Sequence, residues 1–168
     1  MSLFQLVLLL TALCRILELF YARHNTRRLL ASGAREVGRG HYPVIVGLHA
    51  AWFITMLATI PADTPPRWFW LGLFLVLQAG RAWVLLTLGR FWTTRIVTLA
   101  GAPLVRGGPY RFVRHPNYLV VELEIIALPL AFGAPLLALG FGLANAAVLW
   151  WRIRIENEAL VARRAAGQ

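Results

Sequence analysis

The stretch Gly89-Arg90-Phe91-Trp92-Thr93-Thr94-Arg95-Ile96-Val97-Thr98-Leu99-Ala100-Gly101-Ala102-Pro103-Leu104-Val105-Arg106-Gly107-Gly108-Pro109-Tyr110-Arg111-Phe112-Val113-Arg114-His115-Pro116-Asn117-Tyr118 decides how the rest of the chain is read. It is the longest polar interval between two apolar runs, and it holds five arginines, three prolines and one histidine. Gly107-Gly108-Pro109 and His115-Pro116 interrupt the backbone where a helix cannot simply continue. A membrane protein of 168 residues has little room for an idle loop of this length. The stretch reads as the floor of an active site, with membrane helices arranged around it.

The membrane assignment rests on composition. Hydrophobic residues make up 59% of the chain, charged residues only 14%, and the mean hydropathy is +0.64. A soluble domain carries about 25% charged residues. The length fits one domain, 1–168. All 17 basic residues are arginine, and most fall between apolar runs. That distribution is what the positive-inside rule and attraction to anionic lipid headgroups produce. It argues against nucleic acid as the partner behind the net charge of +10. A single cysteine, Cys14, excludes an intrachain disulfide.

Working outward from the loop, five crossings are expected. Leu3–Ala22 is about the length of one membrane crossing, and its helix is expected to continue into the arginine-rich segment 23–42. Arg15 and Glu18 lie three apart on one face of this helix, as a self-neutralising pair or as a polar wall of a substrate cavity. Pro43–Ile60 is the second span and contains His49, expected as a packing or hydrogen-bonding residue. Trp68–Leu88 is the third, with an aromatic belt at Trp68 and Trp70. Here Gln78 and Arg81 are again three apart, and Arg81 either snorkels to the inner face or joins the cavity. Leu119–Trp151 is too long for one crossing and breaks at Gly133-Ala134-Pro135, so a short helical hairpin is expected over 118–132 and 135–151. Glu122 and Glu124 sit in its first arm on different sides of a helix, and one of them is expected to pair with Arg15 or Arg81. The polar tail follows from Arg152 and is expected as a C-terminal tail helix. The intervals 23–42 and 89–117 hold five arginines each and the tail four, whereas the opposite turns hold Arg67 alone. Five crossings, with the N-terminus outside and the C-terminus inside, put every basic segment on the cytoplasmic side.

The loop and the tail then flank the same hairpin on one side of the membrane. This brings Arg114-His115-Pro116-Asn117-Tyr118 towards Arg152-Ile153-Arg154-Ile155-Glu156-Asn157-Glu158-Ala159-Leu160. Guanidinium groups, an imidazole, a phenol and carboxylates at the lip of an apolar bundle suit a polar cytosolic cofactor meeting an acceptor dissolved in the bilayer. The first segment matches R-H-P-x-Y, and the second is similar to R-I-x-x-E-E-x-x-L with Asn157 at its second acidic position and Glu158 next. At this separation the two resemble the isoprenylcysteine carboxyl methyltransferase family, whose relatives include the phospholipid N-methyltransferases. The resemblance covers about residues 89–160. Gly89–Ile96 is similar to the bacterial branch that includes O-methyltransferases of alkylpyrones and alkylresorcinols, which implies a bacterial inner-membrane protein.

The resemblance implies an all-α integral membrane fold of about five transmembrane helices. It implies S-adenosyl-L-methionine as methyl donor, S-adenosyl-L-homocysteine as product, no metal, and a lipophilic acceptor taken from the bilayer among membrane lipids. The implied cofactor residues are Gly108, Tyr110, Arg114, His115, Pro116, Tyr118, Arg152, Glu156 and Glu158. Arg114 or Arg152 meets the cofactor carboxylate, Glu156 accepts from its hydroxyl or amine groups, and Gly108 lets backbone approach closely. Arg114, His115, Glu122 and Arg152 are the candidates for catalysis, and Arg15, Glu18, Arg81, Trp92 and Glu124 for the substrate cavity. If the acceptor is a plain phenol it needs a base, for which Glu122, Glu124 and His115 are available. An NADPH-dependent reductase of the steroid type is the nearest enzymatic rival, and a small transporter or scaffold the non-enzymatic one. Neither an extra cluster for a 2′-phosphate nor an internal repeat stands out in the sequence.

Overall fold

The computed structural model describes residues 1–102 and 105–165; the side chains of residues 160–165 lie outside what is described. Five long helices carry the fold: α1 (Leu3–Ala31), α2 (His41–Thr59), α3 (Trp68–Leu88), α4 (Pro116–Ala131) and α5 (Pro135–Ala165). Four of them, α1, α2, α3 and α5, are long and apolar enough to cross a membrane. The 16 residues of α4 span about 24 Å, less than the roughly 30 Å of a hydrocarbon core.

Each helix begins and ends for a local reason. Ser2 caps α1 in a reciprocal box: its Oγ accepts from the Gln5 amide at 3.2 Å, and Gln5 Oε1 accepts from the Ser2 amide at 3.1 Å. α1 runs unbroken past the membrane-length segment to Ala31, carrying Arg23, Arg27 and Arg28 out beyond it. Proline occupies the first turn of α4, where its missing N–H costs nothing. The hairpin turns at Phe132–Ala134, where the amide of Ala134 bonds back to Pro129 O at 2.9 Å. The expected break is therefore observed. The tail is not a separate element, because α5 continues through Arg152 to Ala165 without interruption.

A purely helical fold needs one correction. Arg35–Val37 (β1) and Ile96–Thr98 (β2) form a two-stranded antiparallel ribbon, with Glu36 opposite Val97. The ribbon clips the arginine-rich segment after α1 to the loop after α3. Arg95 Nη1 reaches Glu36 Oε1 at 2.7 Å and its guanidinium lies 4.7 Å over the Tyr42 ring.

The apolar core fills the end of the bundle away from the arginine segments. Phe4, Trp52, Met56, Phe74, Ile125, Leu128 and Phe132 are buried there, and Trp52 Nε1 donates to Ile125 O at 3.2 Å. A smaller cluster of Ala22, Val84 and Trp92 closes the other end of the α1–α3 contact. α4 packs between α3 and α5, and α1 and α2 touch little. The outward faces keep many large apolar side chains exposed, among them Leu17, Phe20, Ile54, Phe69, Leu86 and Leu143. This is a lipid-facing surface, and the protein is a membrane protein.

Candidate active site at the arginine-rich end

The long loop is fastened before it forms anything. Asn25 of α1, almost fully buried, donates through Nδ2 to Gly89 O at 3.1 Å and Trp92 O at 3.0 Å. This sets Trp92 against Ala22 and Val84. Further along, Gly108 sits at φ +54°, and a Cβ there would lie 2.5 Å from Thr87 Oγ1 and 3.2 Å from Trp83 Nε1. Gly108 thus lets the loop press onto α3. It is packed against that helix and lines neither cavity described below. Pro116 is likewise buried as a helix-starting residue.

With the loop held, the start of α4 and the inner part of α5 converge. The Tyr118 hydroxyl donates to Glu156 Oε2 and accepts from Arg152 Nε at 2.7 Å. The His115 ring stacks on Tyr118 with centroids 5.3 Å apart, and its Nδ1 lies 3.9 Å from Glu156 Oε2. Arg152 is buried, and its Nη1 lies 3.4 Å from His41 Nε2. His115, Tyr118, Arg152 and Glu156, named from sequence, therefore form one connected group. His41 belongs to it and carried no sequence signal beyond being a histidine near a proline.

Two cavities adjoin this group among the described residues. The first, about 540 Å³, opens at the arginine-rich end and is lined by Arg95, Arg106, Arg114, Tyr110, Glu156 and Asn157 together with other loop residues and Leu29 of α1. Burial, with Glu156 nearby, raises the Tyr110 phenol above its ordinary range, so it stays protonated and can act as a donor. Asn157 holds the second acidic position of the motif and lines this cavity, whereas Glu158 is exposed and lies outside it. The second cavity, about 470 Å³, is mostly apolar and lies between α1 and α2, lined by Ile16 and Leu19 on one side and Ile45, His49 and Phe53 on the other. Trp92, Thr93, Asn117, Tyr118 and Arg152 line both cavities. On this shared wall Trp92 Nε1 and Asn117 Oδ1 are buried without a hydrogen-bond partner among the described residues.

Arg15, Glu18 and Arg81 line the apolar cavity, as the sequence placed them, and Glu124 stands behind them. Arg81 does not snorkel outward. It turns into the bundle, donating through Nε to Glu124 Oε1 at 2.9 Å, with its Nη2 on Glu124 Oε2. Glu18 Oε2 lies 3.4 Å from Arg81 Nη1. Arg15 reaches Gln78 Oε1 at 2.9 Å and Glu18 Oε1 at 3.0 Å, and Gln78 Nε2 donates to Glu124 Oε1 at 2.7 Å. Glu124 is thus the carboxylate that pairs with both arginines. Glu122 faces the other way, accepts from Asn145 Nδ2 at 2.7 Å between α4 and α5, and lines neither cavity. His49 Nδ1 lies 2.9 Å from Ile45 O, one turn back on α2.

Residues 70–162 match the isoprenylcysteine carboxyl methyltransferase (ICMT) family, a range that contains His115, Tyr118, Arg152 and Glu156 and leaves out His41. The chain is also similar to YpbQ of Bacillus subtilis, an uncharacterized protein. The two are 37% identical over 161 residues, covering 94% of this chain and 96% of YpbQ. No solved structure matches the chain.

Proposed function

The chain belongs to the isoprenylcysteine carboxyl methyltransferase family, and from that premise we propose that it is an S-adenosylmethionine-dependent methyltransferase acting on the oxygen of a long-tailed lipid acceptor. The acceptor is an isoprenylcysteine carboxylate or the enolic or phenolic head of an alkylpyrone or alkylresorcinol. One observation carries the proposal: a polar cavity open at the arginine-rich end and an apolar cavity between two membrane helices share a single wall. A transfer between a charged, water-borne donor and a lipid needs that arrangement, because neither reactant is stable in the other's solvent.

The residues present fit the donor. A cavity of about 540 Å³ falls in the size range of cofactor pockets. Arg106 and Arg114 offer guanidinium donors to a carboxylate, Glu156 offers acceptor oxygens to hydroxyl or amine groups, and Asn157 either kind. The unpartnered Trp92 Nε1 and Asn117 Oδ1 on the shared wall ask for a polar ligand there. When bound, S-adenosylmethionine supplies a methyl group whose bond to sulfur breaks as the bond to the acceptor forms, leaving S-adenosylhomocysteine.

The protein's part is alignment and exclusion of water. Tyr118 is fixed on both sides, by Arg152 and by Glu156, so the wall between the cavities is rigid where the reactants meet. The aromatic faces of Tyr118 and Trp92 suit a sulfonium cation. The Arg152 guanidinium lines both cavities and favours an acceptor oxygen that is ionised. The acceptor's tail stays in the α1–α2 cavity and enters sideways from lipid. In the cell the arginine-rich end faces the cytoplasm and the N-terminus the outside of a bacterial inner membrane, with α4 completing a fifth, short crossing.

The test is calorimetric titration of S-adenosylhomocysteine into detergent-purified protein, wild type beside His115→Ala. Micromolar binding by the wild type, weakened in the variant, is expected. A folded wild type that takes up no heat overturns the proposal.

A further inference from the structure

His41 lies outside the matched range 70–162, yet it is 1% exposed and touches the centre of the candidate site. It is the first residue of α2. Its Nε2 lies 3.4 Å from Arg152 Nη1, and its ring meets the Trp151 ring edge-on with centroids 6.3 Å apart. Arginine has no lone pair to give, so this contact requires an unprotonated Nε2 that accepts from the guanidinium. His41 is therefore the neutral tautomer with its proton on Nδ1, an atom buried beside the Gly38 backbone. The turn before it is made for this approach: a Cβ at Gly38 would lie 2.5 Å from Ile155 Cγ2 and 3.4 Å from His41 Nδ1. The charged groups around the imidazole are Arg152 and Glu156 of α5 and Glu36 of β1, the last bound to Arg95 and close to Arg39.

We infer that His41 is a positioning residue of the cofactor site, acting through Arg152. The Arg152 guanidinium is gripped at two of its nitrogens, Nη1 by His41 and Nε by Tyr118. Without His41 a buried cation loses one of the two acceptors that set its plane. It is then free to turn towards Glu156, which sits on the same helix one turn on. Tyr118 loses its donor, and the wall shared by the two cavities loosens. The N-terminal half thus helps to build the cofactor site as well as house the lipid. The inference rests on the proposed cofactor reading.

The experiment is S-adenosylhomocysteine affinity, by calorimetry in detergent, for wild type, H41L, H41Q, R152M and H41L/R152M. Glutamine presents an oxygen acceptor at similar reach, whereas leucine fills the space without one. H41L is expected to weaken binding about tenfold, as for one hydrogen bond to a charged group. H41Q is expected to stay within about threefold of wild type, because the acceptor is restored. H41L should add little to R152M, since both act through one guanidinium. If H41L does not fold, H41N, polar but too short to reach Arg152, replaces it. Wild-type affinity in H41L, binding by H41Q as weak as by H41L, or additive losses in the double variant overturn the inference alone. Failure of the wild type to bind overturns the cofactor reading and this inference with it.

Discussion

Arginine and glutamate meet at two levels of this bundle, with different outcomes. At the inner level, Arg15, Glu18, Gln78, Arg81 and Glu124 bond chiefly to one another. Two cations face two carboxylates, so the group is neutral as a whole and stands in a region where an unpaired charge is costly. At the level of the arginine-rich end, Tyr118 and Arg152 bond to each other and to Glu156 and His41, and on the cavity wall beside them Trp92 Nε1 and Asn117 Oδ1 have no hydrogen-bond partner among the described residues. Six residues of α4 separate Tyr118 from Glu124, about 9 Å along the helix. Residue type therefore does not distinguish the inner cluster from the candidate site. What separates them is which cavity they meet: Arg15, Glu18 and Arg81 line the apolar one, with Arg15 Nε and Nη1 lacking a hydrogen-bond partner among the described residues, whereas Tyr118 and Arg152 stand between it and the polar one.

Variants can break this comparison. The largest effect is expected from Arg81→Leu, which strands Glu124 and Glu18 in an apolar setting. Removing one partner of a buried pair costs about 3–5 kcal/mol. Thermal unfolding in detergent should show it, with recovery when Glu124→Met accompanies Arg81→Met. An Arg81→Leu protein that melts with the wild type would show that the inner cluster is not structural.

An intermediate effect, on affinity as well as stability, is expected from Tyr118→Phe. It removes the hydroxyl shared by Arg152 and Glu156, worth about 1.5–3 kcal/mol as a hydrogen bond to charged groups. Affinity for S-adenosylhomocysteine should fall about tenfold or more, and because both bonds are already made in the free protein its melting temperature should fall too, by less than for Arg81→Leu. A lower melting point with unchanged affinity would put Tyr118 in the same class as Arg81.

The smallest effect is expected from Glu122→Gln. The amide oxygen still accepts from Asn145, so stability should change by less than about 1 kcal/mol, and cofactor affinity should not change. Loss of affinity in this variant would bring Glu122 back into the site from which the geometry removes it.

The two levels were legible in the sequence to different degrees. Arg15–Glu18 and Gln78–Arg81 stand out because a three-residue spacing on a helix is a local property. That Glu124 rather than Glu122 completes the cluster follows from how α4 rotates against α3, which spacing alone does not specify. At the arginine-rich end the two short motifs identify His115, Tyr118, Arg152 and Glu156. Asn25, His41 and Asn117 carried no such signal. Their roles come from partners far along the chain: Gly89 and Trp92 for Asn25, and Arg152 for His41.

Sequence by itself determined the membrane class, the five helical runs, the hairpin break and the gathering of the arginines at one end of the bundle. Each of these is set by hydropathy, charge or proline within a window of about 20 residues, the scale on which the bilayer acts. Only the tertiary structure decided that α5 carries the tail as one helix, that a ribbon of three-residue strands joins segments 35–37 and 96–98, and that the polar and apolar cavities share a wall. Those features depend on contacts between residues tens of positions apart. Such contacts form only after the helices have packed, and no local pattern encodes them.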